Sequence, residues 1–80
     1  VEFATDFKTR LQEWSQRQFR TVPDYRLKSS AGPEHAKRFR YEVWVGETAM
    51  GEGEGPSRKG AEQDAAHKAL QKIEQEKGAL

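Results

Sequence analysis

Apolar residues recur near the start of the chain at the period of an α-helix. They follow an i, i+4, i+7 spacing, which places them along one side of a helix. These residues are Phe7, Leu11 and Trp14. The side chain of Thr5 or Asp6 can accept hydrogen bonds from the first free amides of that helix. The pattern therefore predicts a first helix from about Phe7 to Gln18.

The middle of the chain instead alternates apolar and polar residues, as half-buried strands do. Alternation over residues 25–29 and 39–45 predicts two strands, each with one buried side. Residues 48–54 follow a turn at Gly46 and predict a third strand. Residues 30–36, between the first two strands, form a loop longer than a tight hairpin needs. This extra length indicates a projecting loop with a functional role.

The last third of the chain returns to a helical pattern. Gly55 and Pro56 end the third strand, and Ser57 is a suitable N-cap for a second helix. Its apolar stripe consists of Ala61, Ala65, Ala66, Ala69, Leu70 and Ile73. Small alanines allow this helix to lie close to its neighbour, and Gly51 and Gly53 permit a close approach to the third strand.

The order helix, three strands, helix predicts an α+β fold. All apolar faces are buried only if both helices cover one face of a three-stranded antiparallel sheet. We therefore expect an α-β-β-β-α two-layer sandwich over residues 6–74, with a linker at 1–5 and a C-terminal tail at 75–80. The predicted core comprises Phe7, Leu11, Trp14, Leu27, Phe39, Tyr41, Val43, Val45, Ala66, Leu70 and Ile73.

The composition fits one small domain without thiol chemistry. Eighty residues with 34% hydrophobic content can bury a single thin core. The absence of cysteine excludes disulfides, thiolate zinc sites and thiol nucleophiles. Charged residues interrupt every apolar stretch, so we expect no membrane span and no signal peptide. A cytoplasmic protein is the resulting expectation.

No catalytic or metal-binding pattern is recognisable in these residues. There is no set of histidine, carboxylate and nucleophile, and no spacing typical of metal ligands. Gly51, Gly53 and Gly55 lack the Gly-Lys pattern of a phosphate-binding loop. The sequence thus predicts a non-catalytic domain without a metal or cofactor of its own.

The total charge says little about binding partners, because 14 Lys and Arg nearly balance 13 Asp and Glu. The distribution is more informative. Between Arg20 and Glu42 there are six basic residues against three acidic ones. Glu47, Glu52 and Glu54 then offset this excess. The distribution therefore gives a local basic excess of three residues between Arg20 and Glu42, which the three following glutamates cancel.

Three short segments point to a binding surface. Gln12 and Gln16 lie four residues apart on the outer face of the first helix, where their amides can donate and accept hydrogen bonds. The loop contains Gly-Pro-Glu-His at 32–35. The basic pair Arg58-Lys59 lies at a helix N-terminus, where free amides and the helix dipole attract anions. Each segment alone also fits an ordinary solvated surface; their combination favours a binding function.

Together and in this order, the three segments resemble the double-stranded RNA-binding domain family, and within it the ribonuclease III branch. The resemblance extends over residues 6–73. It implies that the first helix and the first inter-strand loop enter successive minor grooves of duplex RNA, while the second helix meets the phosphates between them, over ~16 bp. The 2′-hydroxyls of that groove donate and accept hydrogen bonds, as glutamine and histidine do.

The resemblance also implies which residues bind RNA. By position they are Gln12, Glu13, Gln16, Gly32, Pro33, His35, Ser57, Arg58 and Lys59. The chain departs from the broad family at Arg58, where lysine is more usual, and at Glu62, where many members have a third basic residue. Members of the ribonuclease III branch often have glutamate at the position of Glu62.

For the parent protein, the resemblance implies a covalently attached nuclease domain that uses Mg²⁺ and a homodimeric assembly. The isolated domain is expected to be a monomer whose partner is double-stranded RNA. The acidic signature of that nuclease domain is absent from these residues. The resemblance therefore implies that these residues form an RNA-binding module that positions a separate catalytic domain.

A protein-interaction module of the same fold is the alternative function. Trp44 alternates onto the outer face of the sheet together with Arg40 and Glu42. An exposed tryptophan there is either a contact for a partner protein or a cross-strand residue that covers the open face. In the first case the sheet would mediate dimerisation and RNA binding would be weak.

Overall fold

The computed structural model describes residues 6–78, and the side chains of residues 6–76. Its helices and strands follow the predicted order. They are α1 (Phe7–Phe19), β1 (Asp24–Ala31), a short 3₁₀ helix (Glu34–Ala36), β2 (Arg38–Val45), β3 (Thr48–Gly55) and α2 (Arg58–Gly78). The predicted linker at 1–5 lies outside the described residues.

The three strands form an antiparallel sheet in the order β1-β2-β3. On the central strand β2, Tyr41, Val43 and Val45 alternate with more exposed residues and are buried. Leu11 of α1 and the alanines of α2 join Tyr41 and Val43 in one hydrophobic cluster. Both helices therefore cover the same face of the sheet, and the predicted α+β two-layer sandwich is confirmed.

Helix α2 packs directly on strand β3 because small residues meet at their contact. Ala61, Ala65 and Ala69 are completely buried. A Cβ atom added at Gly51 would lie 2.7 Å from the carbonyl oxygen of Ala65, and Gly53 leaves even less space. Only glycine allows the two backbones to approach this closely.

The placement of Leu27 in the predicted core is wrong. Leu27 pairs with the buried Tyr41, so it faces the inner side of the sheet, yet 43% of its surface is exposed. Strand β1 is an edge strand, and α2 lies over β3 and β2 instead. Tyr25, two residues earlier on β1, does pack against the core. Alternation identifies the inner face of an edge strand, but it does not show how far the helices cover it.

The outer face of the sheet is a layer of paired polar side chains around Trp44. The indole Nε1 donates a hydrogen bond to Glu42 Oε1 at 3.0 Å. The guanidinium carbon of Arg26 lies 4.4 Å from the centroid of the Trp44 ring. Lys28 Nζ lies 3.6 Å from Glu42 Oε2 on β2 and 3.6 Å from Glu52 Oε2 on β3, and Arg40 Nη2 lies 3.8 Å from Glu54 Oε2 on β3. Trp44 is thus a cross-strand packing residue that Arg26 covers.

Helix α2 continues to Gly78, four residues beyond the predicted domain boundary at residue 74. Residues 75–77 are Gln, Glu and Lys, which favour helix strongly, and no helix breaker precedes Gly78. The predicted tail is therefore helical at 75–78, and residues 79–80 lie outside the described part. Within residues 6–78, neither helix has the length and apolar character needed to cross a membrane.

Candidate nucleic-acid interface

The surface of α1 carries a polar stripe that begins at Lys8. Lys8, Gln12 and Gln16 are spaced four residues apart, so they lie along one side of the helix. Gln12 and Gln16 are exposed, whereas Lys8 is partly buried. Glu13 is exposed as well, but the helical rotation places it about 100° around the axis from Gln12. The structure thus aligns the two predicted glutamines and places Glu13 beside their stripe.

The loop between β1 and β2 turns at a glycine. Gly32 has φ of +99°, and a Cβ atom there would lie 2.8 Å from the carbonyl oxygen of Ala36. The backbone N–H of Ala36 donates a hydrogen bond to the carbonyl oxygen of Pro33 at 2.9 Å, across the short 3₁₀ helix that contains His35. Gly32, Pro33 and His35 are all exposed. The loop therefore presents the imidazole and its own peptide groups to solvent.

The third predicted segment is the capped N-terminus of α2. Ser57 Oγ accepts a hydrogen bond from the backbone N–H of Gly60 at 3.0 Å. The Ser57 carbonyl oxygen accepts another from the N–H of Ala61 at 2.9 Å. Arg58 and Lys59 follow in the first turn, and both are exposed. Their charges and the positive end of the helix dipole favour an anion at the same place.

Aromatic residues of β2 hold the Arg58 side chain. Its Nη1 donates a hydrogen bond to the Tyr41 hydroxyl at 3.2 Å, and its guanidinium carbon lies 5.1 Å from the centroid of the Phe39 ring. The other guanidinium N–H groups can still reach a phosphate. Sequence reasoning placed Phe39 and Tyr41 in the core only. Their contact with Arg58 joins residues far apart in the chain, and no local pattern signals it.

The loop and the N-terminus of α2 lie at the same end of the sheet. Ala31, the last residue of β1, pairs with Arg38 at the beginning of β2. Next to it, Phe39 pairs with Gly55, the last residue of β3. The chain enters the loop after Ala31 and enters α2 after Gly55. The register thus brings the segment that contains His35 to the end of the sheet where Arg58 and Lys59 lie.

Helix α1 is joined to this end of the molecule by an ion pair. Lys8 Nζ contacts Glu62 Oε1, one helical turn after Arg58 on α2. The stripe of Lys8, Gln12 and Gln16 therefore starts beside the basic pair of α2. Glu62, which departs from the broad family pattern, has its charge compensated by Lys8. The loop, the N-terminus of α2 and the start of α1 therefore lie at one end of the sheet, while Gln12 and Gln16 follow further along α1.

The N-cap residue of α1, Asp6, is a carboxylate with a lowered pKa. The Asp6 carboxylate accepts hydrogen bonds from Thr9 Oγ1 at 2.7 Å, from Gln63 Nε2 at 3.3 Å and from the backbone N–H of Thr9 at 3.3 Å. These bonds, with a smaller contribution from the charge of Lys59, hold the pKa of Asp6 below its ordinary value of 3.8. The ionised form of Asp6 therefore stabilises the start of α1.

Replacing Asp6 with asparagine is expected to remove part of the acid sensitivity of folding. The pKa of Asp6 is lower in the folded state than its value of 3.8 in the unfolded chain. The contribution of Asp6 to the free energy of unfolding is therefore complete above pH 3.8 and is lost as pH falls through the folded-state pKa. Urea unfolding of the native chain and Asp6→Asn at a series of pH values measures this effect. The difference in unfolding free energy should shrink below pH 3.8. A constant difference between pH 2 and 7 would contradict the role of the carboxylate.

Two other groups near the helices have shifted pKa values. Burial raises the pKa of Asp64, but hydrogen bonds from the backbone N–H of Glu54 at 3.0 Å and from Lys68 outweigh it, so the net pKa is lowered. The hydrogen bond from the Glu54 N–H to the Asp64 carboxylate links α2 to β3. Burial, with the negative charges of Glu62 and Asp6, raises the pKa of Tyr25, so its phenol stays neutral. Neither group titrates near neutral pH.

Across residues 6–78, no three histidine or acidic side chains lie close enough together to hold a metal ion. Of the acidic residues beside the start of α1, Asp6 accepts hydrogen bonds from Thr9 and Gln63, and Glu62 is paired with Lys8. The chemistry that these residues offer is hydrogen bonding and electrostatic attraction. Such a surface can bind an anionic polymer.

Comparison with protein-family models gives a match over residues 7–73 to the family described as the double-stranded RNA binding motif. Curated proteins similar to the chain include ribonuclease 3 of Leptospira interrogans, which is 44% identical over 72 residues. Ribonuclease 3 of Dehalococcoides mccartyi is 46% identical over 69 residues. The matched residues make up 90% and 86% of this chain, but 29% of each relative.

The fold also occurs in a solved structure, that of Dicer from Pichia stipitis. The TM-score is 0.69 at 24% sequence identity, and the match covers 89% of this chain and 34% of the Dicer chain. At this identity the similarity shows the shared fold alone. The chain spans less than a third of the length of the two curated relatives.

Proposed function

The chain belongs to the double-stranded RNA binding motif family, and we propose that it binds duplex RNA through the α1 stripe, the Gly32–His35 loop and the N-terminus of α2. The strand register that sets the loop beside the basic first turn of α2, together with the Lys8–Glu62 contact that joins the start of the α1 stripe to α2, is the observation that supports this proposal. Gln12 and Gln16 provide neutral donors and acceptors for 2′-hydroxyls in a minor groove. Arg58 and Lys59 provide charge for the phosphates.

Each contact has a different physical role in this proposal. A neutral amide on a 2′-hydroxyl distinguishes RNA from DNA, because DNA lacks that hydroxyl. Arg58, supported by Tyr41 and Phe39, is already oriented before binding, so less side-chain entropy is lost when it meets a phosphate. His35 and the peptide groups of its loop would contact a second minor groove. Recognition would therefore depend on the shape of the duplex and on its sugar.

The sheet face offers less support for the alternative function in protein binding. Trp44, which would have to receive a partner, is hydrogen-bonded to Glu42 and covered by Arg26. Neighbouring charges on that face are paired across the strands. A partner would have to displace these contacts, whereas the interface on α1, the loop and α2 is exposed.

For the parent protein, we propose an attached nuclease domain that uses Mg²⁺ and acts in RNA processing. The similarity to proteins named ribonuclease 3, which are more than three times as long as the matched segment, supports this proposal. This domain would then position the duplex and leave its cleavage to the other domain. We also propose a homodimeric parent in the cytoplasm and a monomeric isolated domain.

In a binding titration, the chain is expected to prefer duplex RNA over duplex DNA of the same sequence. The preference is expected because duplex DNA lacks the 2′-hydroxyls that the domain would contact in RNA. It should persist at two salt concentrations, while the affinities for RNA and for DNA both fall as the salt concentration rises. Sedimentation of the free chain should show a monomer, and the RNA should remain intact when Mg²⁺ is added. Equal affinity for the two duplexes would contradict the proposed groove contacts. A dimer with negligible RNA binding would favour the protein-interaction alternative.

A further inference from the structure

Helix α1 begins in an unusual way, because a side chain of α2 caps it. The first backbone N–H groups of a helix have no partner within the helix. The Oε1 atom of Gln63 accepts hydrogen bonds from the N–H of Phe7 at 2.9 Å and of Lys8 at 3.3 Å. The N-cap residue Asp6 accepts the bond from the N–H of Thr9. One glutamine therefore satisfies two of the three amides in the first turn.

The same glutamine is also bonded to the N-cap residue itself. Gln63 Nε2 donates a hydrogen bond to Asp6 Oδ1 at 3.3 Å. The amide thus uses both its acceptor and its donor on α1, and it is partly buried. A side chain held at both ends has little freedom to rotate. It fixes the start of α1 both along and around the helix axis.

The position of Gln63 on α2 links these contacts to the interface. Gln63 lies one helical turn after Lys59, and the charge of Lys59 acts on Asp6 across the same junction. On α1, the capped residue Lys8 begins the stripe that continues to Gln12 and Gln16. Because a helix is stiff, the orientation of its first turn sets where the two glutamines lie.

We propose that Gln63 is a positioning residue for RNA binding, which holds the groove-contacting stripe of α1 in register with the phosphate-contacting first turn of α2. This inference rests on the proposed function of those two surfaces. Gln63 need not touch the RNA. Duplex RNA presents its minor groove and phosphates at fixed separations, so both sets of contacts form together only if the helices keep one relative position.

Binding measurements in two backgrounds test this role. In the native chain, Gln12→Ala should weaken duplex RNA binding about fivefold, the value of one net hydrogen bond. A Gln63→Met background loses the hydrogen bonds that fix the first turn of α1 but keeps the packing of Leu11 and the Lys8–Glu62 ion pair, so α1 stays docked with its orientation less defined. Gln12→Ala should then weaken binding by less than about twofold. Replacing Arg58 and Lys59 together with alanine should reduce the RNA affinity and its salt dependence to a similar extent in both backgrounds. The reason is that Ser57 still caps the first turn of α2 in each of them.

Two further variants separate positioning from general destabilisation. Gln71→Met changes an exposed glutamine two turns further along α2 and should leave the fivefold effect of Gln12→Ala in place. Gln63→Glu combined with Asp6→Asn retains oxygen acceptors for the N–H groups of Phe7 and Lys8 and exchanges donor and acceptor in the contact between the two side chains, so it should preserve most of that effect. Binding to every chain is measured below its unfolding temperature. If Gln63→Met does not fold, the background with Gln63→Glu and Asp6→Asn is compared with Gln63→Ala.

The outcomes distinguish this inference from the proposed function. If Gln12→Ala lowers the RNA affinity by the same factor in the native chain and in the Gln63→Met background, the positioning role is overturned while the proposed interface stands. If neither Gln12→Ala nor the Arg58 and Lys59 substitutions weaken binding in the native chain, the interface is misassigned and both proposals fail. The inference is supported if Gln12→Ala no longer weakens binding in the Gln63→Met background but still does so in the Gln71→Met background and in the background with Gln63→Glu and Asp6→Asn.

Discussion

Replacing Gly53 with alanine is expected to remove most of the stability of the domain. A Cβ atom at Gly53 would lie 2.7 Å from the Cα of Ala65 and closer still to its backbone nitrogen. These are backbone atoms of α2, so no side-chain rotation can relieve the overlap. The whole helix would have to move away from β3, which we expect to cost at least ~3 kcal/mol. The total free energy of unfolding of a small domain is only about 5 kcal/mol or slightly more.

Chemical denaturation and hydrogen exchange measure this loss, with Gly46→Ala as the matched control. Gly46 lies in the β2–β3 turn with φ of +62°, and a Cβ atom there meets no atom within 4 Å. Gly46→Ala is therefore expected to lower the free energy of unfolding by only about 1 kcal/mol, because alanine is mildly strained in the left-handed backbone conformation. The amides of α2 should lose protection in Gly53→Ala but not in Gly46→Ala. Similar unfolding free energies for the two variants would contradict the close packing of β3 and α2.

The close packing at Gly53 is a feature that the sequence already indicates. A glycine in a strand pattern and an alanine stripe in a helix pattern both imply close approach, and the structure joins them. The order of elements, the cap at Ser57 and the projecting loop are likewise predictable, because each depends on residues near one another in the chain. Local periodicity and capping therefore account for the architecture.

The features that could not be predicted depend on contacts between distant residues. Gln63 looks like an ordinary polar helix residue, and only the packing of α1 against α2 brings it to the amides of Phe7 and Lys8. Arg58 looks like a free cation, although Tyr41 and Phe39 hold it. The exposure of Leu27 depends on where the helices end over β1. A sequence pattern gives the face of a residue but not its neighbours across the fold.

Replacing Arg58 and Lys59 together with alanine is expected to cause the largest loss of RNA affinity. Two charge-assisted contacts to phosphate would be lost. Together they contribute roughly 3 kcal/mol of binding free energy, which corresponds to about a hundredfold in affinity. Because each contact releases counterions, the slope of log affinity against log salt should become shallower by about two. Binding to every duplex should fall together, since phosphates carry no sequence information. Titrations at several salt concentrations measure both quantities.

Two comparisons show whether this loss is specific to the first turn of α2. Lys68→Ala with Lys72→Ala removes the same total charge further along the same helix and should change the slope much less. Gln12→Ala releases no counterion, so it should leave the slope unchanged while reducing the preference for RNA over DNA. An unchanged slope in the Arg58 and Lys59 variant would mean that these cations do not meet phosphates. A slope reduced equally by the Lys68 and Lys72 pair would mean that the total charge of the domain, and not the first turn of α2, attracts the RNA.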